Sequence, residues 1–171
     1  MNRTTQPAKT TAEILTDQTV DDGSPATTPA PADNALTLVH LLSNRITRAF
    51  YSEIETRFGV SLPEWRVIMT LARYPELTAV EITARWSMDK MTISRAIRRL
   101  EDKGRVHRIR HPEDRRSFTV SLTGEGRAFY DTVLPVANAR YRAITACLGA
   151  EEAAAFRATL ERLINHAAGL P

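Results

Sequence analysis

Apolar positions follow three rhythms along the chain, and each change of rhythm marks a boundary. Residues 1–33 have no rhythm. Thr, Pro, Ala and Asp dominate, and Pro7, Pro25, Pro29 and Pro31 interrupt any helix, so the composition predicts a disordered tail with at most a helical turn over 12–16. From Asn34 a spacing of three to four sets in. Leu36, Val39, Leu42/Ser43, Ile46, Phe50, Ile54 and Phe58 predict one long helix over 34–58. Leu38, Leu41 and Ala49 widen its apolar surface beyond one stripe, which calls for cover on two sides, one of them a second subunit.

Polar residues then punctuate the pattern. Gly59 ends the first helix, and Ser61-Leu-Pro-Glu64 has the form of a capping box, opening a helix with Trp65, Val67, Ile68, Leu71 and Ala72 that stops before Pro75. Thr78-Ala-Val-Glu81 is a second box, opening a short helix with Val80, Ile82, Ala84 and Trp86. After Ser87-Met88, Asp89 caps a third helix that runs to about Lys103, and Gly104 supplies the left-handed stop. Two short capped helices joined by a tight turn predict a helix-turn-helix.

Beyond Gly104 the period falls to two. Phe118, Val120 and Leu122 alternate with Ser117, Thr119 and Ser121, Val106–Arg110 is the partner strand, and residues 111–116 turn between them. A hairpin in this place is a wing. Thr123 caps the next helix with Glu125 in its first turn. Its apolar positions are Ala128, Phe129, Val133, Val136, Ala137, Tyr141, Ile144 and Leu148, and Pro135 predicts a kink. Gly149 breaks it. The last helix aligns Phe156, Leu160, Leu163, Ile164 and Ala167 with little left in the chain to cover them, again pointing to a second subunit.

Charge changes the picture at one place. Lys and Arg total 23 and Asp and Glu 20, a net charge of +3. Arg85–Arg127 alone holds 12 basic and 6 acidic residues, so this window carries +6 on a body of −3. That asymmetry points to a polyanion, and duplex DNA fits it best. On the helix from Asp89, Ile93, Ala96, Ile97 and Leu100 share one face. Met91, Arg95 and Arg98 lie opposite, with Lys90 at the start and Thr92, Ser94 and Arg99 on the flanks. A major groove admits such a helix, where Arg forks match guanine and hydroxyls reach bases or phosphates. Arg110, Arg115 and Arg116 of the wing suit the narrow minor groove, with Asp114 bracing the arginines.

The run from Asp89 to Gly104, followed by Asp114-Arg-Arg116 and Ser121-Leu-Thr-Gly-Glu-Gly126, resembles the MarR family of winged helix-turn-helix regulators over roughly 34–168. The resemblance implies a mainly α (α+β) fold, with a winged helix-turn-helix at 61–122 and dimerisation helices at 34–58 and 124–168. It further implies a homodimer whose first, fifth and sixth helices form the interface. Two recognition helices would then enter successive major grooves of a pseudo-palindrome, with Arg116 in the flanking minor groove. The tail lies outside this pattern.

Members of this family often answer to small aromatic or phenolic acids, which implies a repressor released by such an effector. His40, Ser43, Arg45, Arg48, Tyr51 and Trp65 are the polar and aromatic groups suited to line the cleft, an arginine or histidine holding the carboxylate. Against that reading, Trp65 also suits the core, and the arginines suit solvent or pairs across the dimer. Cys147, beside Ile144 and Leu148, is expected to be buried, which speaks against peroxide sensing. As the only cysteine it excludes an internal disulfide framework and fits a reducing cytoplasm. No apolar run reaches the ~20 residues of a membrane span. The four histidines lack metal-ligand spacing, and neither a catalytic triad nor a Gly-rich phosphate loop is present, so no cofactor, metal or enzymatic activity is expected. The alternative is a sequence-tolerant architectural DNA-binding protein without an effector.

Overall fold

The computed structural model describes residues 34–110 and 118–170, and their side chains except those of 49–52. The tail over 1–33, with its candidate turn at 12–16, lies outside the described residues. So do Asp114, Arg115 and Arg116, and the side chain of Tyr51. The described elements are α1 (Ala35–Phe58), α2 (Leu62–Arg73), β1 (Leu77–Thr78), α3 (Ala79–Trp86), α4 (Lys90–Asp102), β2 (Val106–Arg110), β3 (Phe118–Leu122), α5 (Gly124–Thr145) and α6 (Ala150–Ala167). By its internal contacts the chain divides into two units, Met1–Arg45 and Ile46–Pro171.

In the first unit the described residues form the opening of α1. The Asn34 side chain accepts the Leu36 N–H at 2.9 Å, satisfying one free donor at the helix start. Leu36, Leu38, Val39 and Leu42 are all exposed.

The second unit carries the core. Trp65, Val67, Ile68 and Leu71 of α2 meet Ile93, Ala96, Ile97 and Leu100 of α4, joined by Ile54, Val60, Ile82, Val106, Val120, Val133 and Ala137. Trp65 stacks on Tyr130 with ring centres 5.9 Å apart and is the largest of the fully buried side chains among the described residues. The caps form at the expected residues, although the Ser61 side chain makes no cap hydrogen bond and only the Glu64 half of its box closes. Glu64 Oε2 accepts the Ser61 N–H at 2.8 Å, the Thr78–Glu81 pair is reciprocal, and Thr123 Oγ1 accepts the Gly126 N–H at 2.9 Å. Gly59 and Gly104 take the left-handed conformation at φ +62° and +66°.

The wing is part of a three-stranded antiparallel sheet in the order β1-β3-β2. Val106 pairs with Leu122 and Arg110 with Phe118, while Leu77 pairs with Val120. β1 has no counterpart among the elements expected from sequence, because two residues are too few to show a period of two. Burial in β3 also departs from strict alternation. Val120 and Ser121 are both buried, whereas Phe118 is exposed with the Arg108 guanidinium 4.7 Å from its ring centre.

Three side chains correct the expectations. Val80 is 65% exposed, and Ile82 is the only buried residue of α3. Cys147 is exposed rather than buried: α5 ends at Thr145, so the cysteine falls in the connection to α6 and leaves the apolar stripe. Trp65 is fully buried, which places it in the core and removes it from the lining of any open cleft. α5 runs on past Pro135 as one helix of 22 residues. No described helix is long and apolar enough to cross a membrane.

Candidate nucleic-acid interface

The site is built around α4. Ser87, left-handed at φ +47°, turns the chain so that only Ser87-Met88-Asp89 separates α3 from α4. Asp89 Oδ1 accepts the Thr92 N–H at 2.8 Å, and bonds from the Thr92 hydroxyl and then its N–H hold the Asp89 carboxyl below its usual range, keeping the cap ionised. With Ile93, Ala96, Ile97 and Leu100 locked in the core, the opposite face has one way to point. Lys90, Met91, Arg95, Arg98 and Arg99 are exposed, while Thr92 and Ser94 are half-buried at the edges. Ser61, the residue that precedes α2, and Pro63 in its first turn line a shallow cleft of about 180 Å³ beside Thr92, Arg95 and Arg99.

The basic window does not act as one patch. Arg85 lies 4.0 Å from the Tyr74 ring centre, and Lys103 pairs with Glu64 at 2.7 Å. Arg108 pairs with Glu101 at 3.1 Å, and Arg127 reaches both Asp131 and the Ala72 carbonyl. Arg105 lies 3.5 Å from the Phe129 ring centre, where burial lowers its pKa against the opposing charges of Glu64 and Glu125. These five cations are tied down within the chain. By contrast, no carboxylate of the described residues pairs with Lys90, Arg95, Arg98, Arg99 or Arg110. Among the described residues of the window, the positive charge left for a partner therefore sits on α4 and at the end of β2.

The residues expected around an effector fall in both units. His40, Ser43 and Arg45 are exposed in the unit that ends at Arg45, and Arg48 is exposed in the other. A different cation is better held. Arg66 lies 4.9 Å from the Trp86 ring centre and donates from Nη1 to Met88 Sδ at 3.2 Å, while its Nε is buried without a hydrogen-bond acceptor. Trp86 in turn donates to Thr70 Oγ1 at 2.8 Å. Burial raises the pKa of Tyr141, and the charge of Arg66 opposes that rise. Periodicity assigns Arg66 only to the flank of α2; its position beside Trp86 and Met88 depends on contacts 20 or more residues away.

Comparison with known proteins agrees with this architecture. The family model described as "MarR family" matches residues 60–118, the stretch that holds α2 to the start of β3. The homoprotocatechuate degradative operon repressor of Escherichia coli is 26% identical over 131 residues, covering 77% of this chain and 88% of that protein. A helix-turn-helix-type transcriptional repressor of Mycobacterium tuberculosis is 30% identical over 105 residues, 61% of this chain and 76% of the relative. Among solved structures, a mutant MarR from Escherichia coli complexed with operator DNA superposes with a TM-score of 0.66 at 25% identity, over 74% of this chain and 90% of that one. Capped helix-turn-helix, antiparallel wing and sequence similarity converge, and the chain belongs to the MarR family of DNA-binding transcriptional regulators.

Proposed function

We propose that the chain is a repressor that binds a pseudo-palindromic operator as a homodimer. α4 lies in the major groove, with Arg95 and Arg98 reading bases and Lys90, Met91, Thr92, Ser94 and Arg99 contacting base edges or phosphates. Arg110, Arg115 and Arg116 grip the adjacent minor groove, braced by Asp114. The observation that carries this reading is the division of α4 into a face locked in the core and a basic face with no carboxylate partner among the described residues.

The regions 34–58 and 124–168 supply the dimer contacts and 61–122 the DNA-binding unit, in the cytoplasm. Support for dimerisation comes from α6, none of whose residues is buried although Phe156, Leu163 and Ile164 form an apolar row. A small aromatic acid releases the operator. Its carboxylate meets a cation of the second unit, with Arg66, stacked on Trp86 and its Nε buried without an acceptor, the candidate. The likeness to a repressor of an aromatic-acid degradative operon supports this effector class.

Selection of duplexes from a randomised pool by the purified chain tests the proposal. The expected consensus has two symmetric half-sites, bound at least ~10³-fold more tightly than random duplex. Its log K falls by about 0.9 per neutralised phosphate as log salt rises. No consensus and a ratio near one would identify a sequence-tolerant binder instead.

A further inference from the structure

One polar tie in the second unit is used neither by the core nor by the DNA-facing set. Lys103, the residue that closes α4, sends its ammonium to Glu64 Oε1 at 2.7 Å and to the Gly59 carbonyl at 3.0 Å. Glu64 is 2% exposed, and its other oxygen accepts the Ser61 N–H at 2.8 Å. Gly59 is the left-handed stop of α1, its own N–H bound to the Glu55 carbonyl at 2.9 Å. The Lys103 N–H returns to the Arg99 carbonyl, one turn back on the DNA-facing helix. A single ammonium therefore joins the end of α1, the start of α2 and the end of α4.

The apolar contact between α2 and α4 is non-directional, so Ile93, Ala96, Ile97 and Leu100 fix burial better than they fix the helix's roll and slide. A short charge-assisted bond to a buried carboxylate is directional. Resting on the proposed DNA-reading role of α4, we infer that Lys103 is a positioning residue: clamped by Glu64 and the Gly59 carbonyl, it sets the seat of the recognition helix against the end of α1 and so couples α1 to base reading. Lys103 does this without touching DNA, and a shift of α1 at its Gly59 end is passed to α4 through the same ammonium.

The test uses the full chain and the duplex selected by wild type, against random duplex, with the folded fraction fixed by circular dichroism. Lys103→Met and Glu64→Gln should each lower the selected-to-random affinity ratio by about 3- to 30-fold. The double variant should be no worse than the poorer single one, because both break one tie. Lys103→Arg should recover most of the loss. The salt slope should stay at the wild-type value in every variant. A slope lower by about 0.9 in Lys103→Met alone, with Glu64→Gln neutral, would make Lys103 a phosphate ligand and overturn the inference. Unchanged ratios in folded variants would overturn it equally, leaving the pair a stability feature only. Should Lys103→Met not fold, Glu64→Gln, which keeps the size and one acceptor oxygen, carries the test. Failure of wild type to select any duplex is a separate outcome that rejects the proposed function itself.

Discussion

Helices α4 and α6 are written in the same language and have different fates. Each repeats apolar residues at three and four with charges between. α4 buries all four of its apolar anchors to 3% exposure or less, while α6 leaves Phe156 43%, Leu163 45% and Ile164 66% exposed. Amphipathicity announces an interface but does not name the partner. For α4 the partner is α2 of the same chain, and the free face is the one proposed to read DNA. α6 finds no such partner among the described residues, although most of a protein helix's stability comes from packing its apolar face. A second copy supplies the missing cover in the proposed dimer.

Breaking the intramolecular half of this contrast should have the largest effects. A Cβ on Gly126 would stand 1.9 Å from the Arg105 carbonyl oxygen, a backbone atom that the neighbouring Thr123 N–H also binds. Gly126→Ala should therefore cost about 4 kcal/mol, above the usual range for overpacking, read by urea unfolding. Ile97→Ala, on the buried face of α4, should cost about 3 kcal/mol in the same assay. Thr123→Ala removes the cap of α5 together with the Thr123 hydroxyl's bond to the Gly104 carbonyl, and should cost about 1 kcal/mol.

On the other side, Ile164→Ala should change the stability of dilute protein by less than about 0.5 kcal/mol. Its signature is concentration: sedimentation should show a weaker dimer, and the midpoint of unfolding should cease to rise with protein concentration. A large loss in the monomer would mean that α6 is covered by its own chain. Acid sharpens the contrast further. Burial opposes ionisation of Glu64, but bonds from Lys103 and Ser61 outweigh it, so its folded pKa lies below the ordinary carboxylate value. The stability it contributes is complete above the unfolded pKa near 4.5 and is lost as pH falls through the lower folded value. Glu64→Gln should flatten that limb of the stability–pH curve, whereas α6 variants should leave it unchanged.

The helix-turn-helix was legible because its signals are local. Capping boxes at Ser61 and Thr78, the Asp89 cap and the stops at Gly59 and Gly104 each act within four residues, and all take the expected conformation. The basic window was legible as a sum but not in its parts. Whether Lys103 or Arg108 is spent inside the chain depends on Glu64, 39 residues away, and on Phe118 across the hairpin. β1 is invisible to periodicity because it consists of two residues paired to β3, and Cys147 leaves the apolar stripe because periodicity does not end a helix to within two residues. Arg66 shows the same limit: its partners, Trp86 and Met88, belong to the next two turns of the fold.

The central claim is that the exposed face of α4 reads base sequence. Repeating duplex selection with Arg95→Ala and with Arg98→Ala tests it directly. Each variant should stay folded and keep wild-type self-association. Each should lose preference at one position per half-site, at a cost of about 1–3 kcal/mol for the wild-type sequence. A consensus unchanged in both variants would contradict the claim and move base reading away from α4.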